Sequence, residues 1–413
     1  LYSVSGLWRI SQEPFMAGAK WIDNLVVRAS YGLQGNIDKN TSPFLLGNYR
    51  IENILPGGSE DMIDVSGAPN KKLRWEKTHS VNAGFDFAVL NQAINLSVDY
   101  YYRKGVDLIG TQMLPLETGF EMLTVNWASM RNQGVEVALS TRNVHTKNFM
   151  WTTNFNFAYN NNKVLKEALR EDALEPGREG YPAGALFALK TAGLDEEGYP
   201  MFQDKDGKAV SAMEFFKLQE WGFGATDLTA RERRELYTYV GTADCPYTGG
   251  FNNTFTYKAF ELGVNFSFDF GGKVRSQPTY SIVDFDKGRN TNRDILNRWT
   301  PENTETIFPV LLSQNERLDE YMWYSNQNEI YRNLDIWIRD LNYVRLQNIR
   351  LGYTLPTNFS RTLGMTSATV AIEGRNLLVF GSSYKNYLDP ETMSNAYATP
   401  APKSVTLSLN LIF

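Results

Sequence analysis

Apolar and polar residues alternate most regularly in the last stretch of the chain. The apolar members are Val405, Leu407, Leu409, Leu411 and Phe413, and Thr406, Ser408 and Asn410 stand between them. A period of two predicts a strand with one apolar and one polar face. At the end of a chain such a strand would carry unpaired backbone groups, so the pattern also favours closure of the sheet onto a further strand.

The same alternation predicts about eleven strands along the chain. They cover residues 1–11, 23–34, 74–89, 93–108, 131–145, 148–162, 250–258, 260–275, 339–355, 366–379 and 403–413. In the strand at 339–355 the parity of the apolar positions changes between Leu346 and Ile349, which predicts a bulge near Gln347. The predicted fold class is therefore all-β.

The connections between these strands alternate in length. The short ones are residues 12–22, 90–92, 146–147, 259 and 356–365, and the long ones are 35–73, 109–130, 163–249, 276–338 and 380–402. Short periplasmic turns and long extracellular loops are typical of transmembrane antiparallel β-barrels of the bacterial outer membrane. Because eleven is an odd number and the first residues already read as a strand, we expect residues 1–413 to be the C-terminal half of a barrel of about 22 strands.

Composition excludes several other classes of protein. The net charge of −5 gives no basic surface for nucleic acid. The one cysteine, Cys245, excludes an intramolecular disulfide framework and a cysteine-rich metal site. The sequence contains no run of eighteen apolar residues, so it predicts no transmembrane helix. A mean hydropathy of −0.37 still agrees with a membrane barrel, because only alternate strand residues face lipid there.

Short motifs in these segments resemble those of the SusC/RagA-type TonB-dependent transporters. In family order they are R-A-S-Y-G-L-Q-G-N at Arg28–Asn36, L-R-W-E-K-T at Leu73–Thr78, N-Q-G-V-E-V at Asn132–Val137, Y-V-R-L-Q-N-I-R-L-G-Y-T-L-P at Tyr343–Pro356, E-G-R-N-L at Glu373–Leu377, and Asp389–Glu391. The resemblance implies import of oligosaccharides or peptides across the outer membrane of a Gram-negative bacterium. It also implies a SusD-like surface lipoprotein as a lid and TonB as the energy source, acting on an N-terminal plug. We expect that plug and the N-terminal barrel strands to lie outside residues 1–413.

The sequence predicts no enzyme and no cofactor. His79 and His145 have no H-E-x-x-H partner, and the chain contains no G-x-S-x-G nucleophile elbow. Cys245 has no histidine near it in the sequence and is more simply a packed residue than a nucleophile. An outer-membrane barrel enzyme would need a catalytic triad, which the sequence does not offer.

No metal site is expected either, although Asp204, Asp206 and Gly207 resemble the start of a calcium-binding loop. The twelfth position counted from Asp204 is Phe215, where such a loop needs a bidentate glutamate. The spacing therefore favours a plain Asp-Gly turn.

Candidate contacts for a substrate are aromatic residues in the long loops, namely Trp221, Tyr247, Trp323 and Tyr324. Aromatic rings stack on sugars or hold peptide side chains, but packing between loops or against a lid explains them more simply. Polar strand residues are candidates for the lumen of the barrel, namely Arg28, Asp99, Glu373 and Arg375. In the alternative hypothesis, a soluble β-rich glycan-binding module with no transport role, these four would face solvent.

Overall fold

In a computed structural model, eighteen strands and three short α-helices are described. The described residues are 1–413 without 40, 56–57, 66, 121, 170, 220–225, 277–287, 291–292, 312–331, 363, 382–388 and 394–397. The strands are β1 (Tyr2–Arg9), β2 (Ile22–Asn36), β3 (Gly47–Leu55), β4 (Gly58–Val65), β5 (Glu76–Val89), β6 (Ile94–Met113), β7 (Met122–His145), β8 (Phe149–Lys166), β9 (Ala185–Leu189), β10 (Thr191–Leu194), β11 (Pro200–Gln203), β12 (Ala209–Val210), β13 (Tyr237–Thr242), β14 (Tyr247–Tyr257), β15 (Phe260–Arg275), β16 (Ile338–Thr354), β17 (Ser367–Phe380) and β18 (Ser404–Ile412). The helices are α1 (Ala212–Phe215), α2 (Ala230–Glu235) and α3 (Thr357–Thr362).

Eleven strands form one sheet, in the order β1-β2-β5-β6-β7-β8-β14-β15-β16-β17-β18. They correspond one to one with the eleven predicted strands, so the all-β antiparallel fold is confirmed. The remaining strands lie within the long connections, where they form a β3–β4 hairpin, a β9–β13 pair and a β10–β11–β12 sheet. None of the helices in the described part of the chain is long and apolar enough to cross a membrane.

The predicted bulge is present in β16. The pairing of β16 with both of its neighbours passes from Leu346 to Asn348 and skips Gln347. The extra residue returns the apolar side chains on either side of it to the same face of the sheet.

The prediction of a long loop over residues 109–130 was wrong. The two strands β6 and β7 continue into this region, and the connection between them is only residues 114–121. Their pairing shifts register between Gly105 and Leu108, where Asp107 has a positive φ of 57°. This irregularity breaks the period of two, and the sequence pattern therefore hides the outer part of both strands.

The chain divides into two compact units. Unit 1 comprises Leu1–Arg170, Gly177–Ala183 and Phe251–Phe255, and unit 2 comprises Glu171–Pro176, Gly184–Gly250 and Thr256–Phe413. In unit 1, pairing across β2, β5, β6, β7 and β8 aligns residues in rows. One apolar row contains Leu25, Phe87, Leu96, Leu139 and Phe155, and a polar row on the opposite face contains Arg28, Gly84, Asp99, Glu136 and Ala158.

Unit 2 repeats this division between an apolar and a polar face. Its apolar face has rows such as Leu262, Leu351, Ile372 and Leu407, and the opposite face has Gly263, Arg350, Glu373 and Thr406. Three of these apolar residues are exposed, with Leu351 47%, Ile372 48% and Leu407 76% accessible. A contiguous exposed apolar face of this kind indicates contact with a membrane or a partner.

A conventional hydrophobic core lies among the long connections of unit 2. Leu189, Phe202, Leu334 and Trp337 are completely buried there, beside Phe215 and Phe216 of the α1 region. This core holds the residues of the connections together without using the faces of the large sheet.

We predict that Gly134→Ala destabilises unit 1. A Cβ atom at Gly134 on β7 would overlap the carbonyl oxygen of Tyr159 and lie 2.6 Å from the hydroxyl oxygen of Tyr101. We expect the free energy of unfolding to fall by about 1–3 kcal/mol, as for other overpacked sites, when measured by urea unfolding in detergent. The control is Gly110→Ala on β6, where the added atom meets nothing within 4 Å. Equal stability of the two variants would contradict the prediction.

Candidate functional site

Charged side chains of three neighbouring strands meet on the polar face of unit 1. Arg28 on β2 lies with its Nη2 atom 2.9 Å from Asp99 Oδ2 on β6, and its Nε atom is 3.1 Å from Asp86 Oδ2 on β5. Ser97 on β6 donates a hydrogen bond of 2.7 Å to Asp86 and accepts one of 3.2 Å from Arg28. The side chains of the three charged residues are between 33% and 38% exposed, so water reaches this network.

A glycine makes the bridge between Arg28 and Asp99 possible. These two residues are two strands apart, and Gly84 on β5 is paired with both of them. A Cβ atom at Gly84 would overlap the Asp99 carboxylate and lie 2.8 Å from the carbonyl oxygen of Val98. A similar arrangement occurs at Gly134, across which the Tyr101 hydroxyl donates a 2.9 Å hydrogen bond to Asn160. The polar face is therefore connected sideways, across whole strands.

Unit 2 contains a more deeply buried network around Arg345 on β16. Arg345 is 1% exposed and donates a hydrogen bond from Nη2 to Asp389 Oδ1, and its Nε atom lies 2.9 Å from Glu391 Oε1 without the alignment of a hydrogen bond. The hydroxyl of Tyr343 donates its one proton to Asp269 on β15 at 2.5 Å, and the same oxygen lies 3.3 Å from Glu391 Oε1. Residues 389–391 precede β18, so this network ties the last long connection to the polar face of the sheet.

Asp389 is held in its charged form by these contacts. Burial alone would raise the pKa of its carboxyl, but the hydrogen bond from Arg345 and those from the backbone N–H groups of Glu391 and Ala401 outweigh burial and lower the pKa. The carboxylate is therefore a fixed negative partner for Arg345, and the short segment that carries it is fixed as well.

The two other polar-face candidates, Glu373 and Arg375, are neighbours on β17. Arg375 donates from Nε to Glu373 Oε1 at 2.6 Å, and its own side chain is 61% exposed. In the pairing of β16 with β17, Arg350 stands opposite Glu373 and reaches Glu261 on β15 with a 2.9 Å ion pair. Arg28 and Asp99 in unit 1, and Glu373 and Arg375 in unit 2, thus each lie on the polar face of their own unit.

Asp204 and Asp206 form a turn between β11 and β12. Asp204 Oδ1 accepts hydrogen bonds from the backbone N–H groups of Asp206 and Lys208, and Gly207 takes a positive φ of 81°. Asp195 and Gly198 build the same turn between β10 and β11. Over the described ranges, no group of three or more histidine, cysteine, aspartate or glutamate residues is placed to hold a metal ion.

Of the four aromatic candidates, only Tyr247 lies within the described residues. It begins β14 and is 43% exposed. Trp221, Trp323 and Tyr324 lie outside the described residues.

Cys245 lies two residues before Tyr247. Burial raises the pKa of the Cys245 thiol, and the nearby carboxylate of Asp269 adds to the effect. A raised pKa keeps the thiol protonated and unreactive, as expected of a packed cysteine.

Sequence reasoning missed the buried network of Arg345, Asp389 and Tyr343. Both motifs that carry it were recognised, at Tyr343–Pro356 and at Asp389–Glu391, but the pattern gave no reason to pair them across 44 positions. An arginine between apolar neighbours in the middle of a strand is the signal that would have indicated a buried partner.

Comparisons with known proteins find similarity to TonB-dependent receptors. Residues 15–185 match the family model described as "TonB dependent receptor-like, beta-barrel". The chain is 26% identical to TonB-dependent receptor P3 of Formosa agariphila, over 98% of the chain and 41% of the relative. It is 25% identical to TonB-dependent receptor SusC of Bacteroides thetaiotaomicron, over 98% of the chain and 39% of that protein.

Among solved structures the chain is similar to the RagAB peptide transporter. The TM-score is 0.76 with 23% identity, over 99% of this chain and 43% of that one. The open-open state of the RagAB peptide importer gives the same TM-score. The chain thus spans about two fifths of the length of these relatives. The resemblance to SusC/RagA-type TonB-dependent receptors, the β-barrel fold and the outer-membrane location inferred from the sequence are confirmed.

We predict that Asp389→Asn loosens the segment around residue 389. The buried guanidinium of Arg345 would keep only Glu391 as a charged partner. Removal of one member of a buried ion pair lowers the free energy of unfolding by about 3–5 kcal/mol. Hydrogen exchange at the backbone N–H groups of Glu391 and Ala401 should accelerate strongly. The control is Glu235→Gln, which breaks an exposed ion pair with Arg231 and should change exchange little.

The same contact predicts a dependence on acid pH. Because the pKa of folded Asp389 is below its ordinary value of 3.8, its stabilising contribution is complete above that value and is lost as the pH falls through the folded pKa. The protection factors of the backbone N–H groups around residue 389, which are exchange rates corrected for the intrinsic pH dependence of exchange, should therefore fall below about pH 4 in the native protein and not in Asp389→Asn. Identical pH profiles for the two would contradict the role given to Asp389.

Proposed function

We propose that this chain is the C-terminal portion of the β-barrel of an outer-membrane transporter that imports oligosaccharides or peptides with energy from TonB. The observation that carries the proposal is the division of the large sheet into an exposed apolar face and a charged polar face. An apolar face suits contact with lipid, and a polar face suits a water-filled passage for a polar substrate. Relatives named as receptors and transporters support a binding and transport role in place of enzymatic chemistry.

The polar face supplies groups for a hydrated passage. Arg28 and Asp99 in unit 1, and Glu373 and Arg375 in unit 2, carry charges that remain partly accessible to water. We assign these four to the lining of the passage. Trp221, Trp323 and Tyr324 belong to long connections, whereas Tyr247 is not the loop residue that the sequence predicted but the first residue of β14. We assign all four to contacts with the substrate at the extracellular side. The first assignment follows from the polar face on which those four residues lie, and the second follows from the positions of the aromatic residues in the sequence.

A surface lipoprotein and TonB are the proposed partners. RagAB is a peptide transporter, and the similarity of this chain to RagAB and to SusC supports a SusD-like lipoprotein lid and TonB-dependent opening of a plug. The alternative, a soluble glycan-binding module, conflicts with the exposure of Leu351, Ile372 and Leu407 on one face, because water disfavours such a surface.

Uptake by whole cells tests the proposal. Cells that lack the gene for this protein should lose growth on either an oligosaccharide mixture or a peptide mixture as sole carbon source, and loss of TonB should have the same effect. The combined variant Trp221→Ala, Trp323→Ala should reduce uptake at low substrate concentration about tenfold or more, since aromatic contacts are each worth on the order of 1 kcal/mol or more.

The matched control is Trp21→Ala, which removes an exposed tryptophan at a short turn. It should leave uptake unchanged. Recovery of the protein from the soluble fraction, or normal growth of the deletion strain on both mixtures, would contradict the proposed function.

A further inference from the structure

A row of basic residues crosses the sheet of unit 1 close to the long connections. Pairing across five neighbouring strands aligns Leu33 on β2, His79 on β5, Lys104 on β6, Arg131 on β7 and Lys163 on β8. Three of these side chains carry a fixed positive charge. We call Lys104, Arg131 and Lys163 the basic row.

The basic row lies on the apolar face of the sheet. The next row towards the short turns on that face contains Tyr31, Val81, Tyr102, Gln133 and Asn161, and the three rows beyond it are formed by aliphatic and aromatic residues. No register shift interrupts the pairing between these rows and the basic row, so the side chains keep the same side. The basic row is therefore continuous with the proposed lipid-facing surface.

Nothing in the described part of the chain neutralises the basic row. None of its three cations forms an ion pair there, and Lys104 and Lys163 both stand directly opposite Arg131. Like charges in directly opposed positions destabilise a sheet. Asp107, three residues from Lys104 on β6, is already bound by Arg74 and Lys77. An anion from outside the chain would remove this repulsion.

The opposite end of the same face carries no charge. Its last row consists of Ile22, Val89, Ile94, Thr141 and Thr153. Leu33, the β2 residue aligned with the basic row, is eight residues from Leu25 in the apolar row described above. Eight residues correspond to about 27 Å of strand, and to roughly 20 Å across a membrane when the strand is tilted by ~40°. This separation is close to the height of about 25 Å of the lipid-facing band of outer-membrane barrels. The charges thus fall at one membrane interface only, on the side of the long loops.

We propose that Lys104, Arg131 and Lys163 bind the phosphate groups of an anionic lipid in the outer leaflet of the membrane. The inference rests on the proposed function in one respect, which is that the sheet spans the membrane with its long connections outside. Charge complementarity and continuity with the apolar face support a lipid-borne phosphate. Nearby, Lys166 covers the ring of Trp127 at 3.4 Å, an arrangement suited to an interface between lipid and water.

The test compares lipids that differ only in the phosphate. The protein is purified from outer membranes in an uncharged detergent and titrated with phosphatidic acid, with diacylglycerol of the same acyl chains, and with inorganic phosphate. Binding is followed by native mass spectrometry and by the increase in thermal stability that a ligand of the folded state produces. Phosphatidic acid should bind and stabilise, whereas diacylglycerol and inorganic phosphate should not.

The variant Lys104→Gln, Arg131→Gln, Lys163→Gln should bind phosphatidic acid about 100-fold more weakly, from about 1 kcal/mol for each basic residue near an anionic surface. Without lipid it should be at least as stable as the native protein, because repulsion is removed. The control is Arg103→Gln, which removes the charge next to Lys104 on the opposite face and should leave the affinity unchanged.

Equal affinity of the native protein for phosphatidic acid and diacylglycerol would overturn the inference, and so would equal affinity of the triple variant and the native protein for phosphatidic acid. Binding of inorganic phosphate with the affinity of phosphatidic acid would show an anion site without a lipid. In each case the protein would still be extracted from membranes, whereas failure of the proposed function would place it in the soluble fraction. Should the triple variant not fold, Lys163→Gln alone should weaken binding about fivefold.

Discussion

Backbone N–H and C=O groups inside a membrane find no water to bond with, and this constraint shapes the large sheet of the chain. Strand pairing is one of the two ways to satisfy those groups, and neighbouring residues then point to opposite faces. The pairing that satisfies the backbone therefore also divides the side chains into an apolar and a polar set. The basic row, the charged networks and the alternation in β18 are all consequences of this one geometry.

The polar face is stabilised by different means in the two units. In unit 1, glycines at positions 84 and 134 clear the space through which Arg28 and Tyr101 reach across an intervening strand. In unit 2, the guanidinium of Arg345 is buried and paired with Asp389. The first arrangement leaves charges accessible to water and suits a passage, while the second fixes a connection at the edge of that face. Glycine is needed where side chains bridge strands, because any Cβ atom there would overlap them.

Strand positions and faces were predictable because the period of two is a direct property of the extended backbone. The change of parity around Gln347 even indicated the bulge in β16. The outer parts of β6 and β7 were not predictable, because the positive φ of Asp107 and its register shift break the period. Pairing of Arg345 with Asp389 could not be predicted from the pattern, since it joins a strand to a distant connection. The Asp204 turn was predictable because its chemistry is local.

Fluorescence quenching by quenchers placed in lipid or in water tests the central claim, which is that the large sheet presents one face to lipid and the other to water. Single cysteines are placed in turn at Leu96, Ser97, Val98, Asp99 and Tyr100 of β6, in a Cys245→Ser background, and labelled with a fluorophore in membranes. The account predicts that a quencher on the lipid acyl chains acts at positions 96, 98 and 100, and that a water-soluble quencher acts at 97 and 99. Quenching without a period of two, or access of the water-soluble quencher to all five positions, would contradict it.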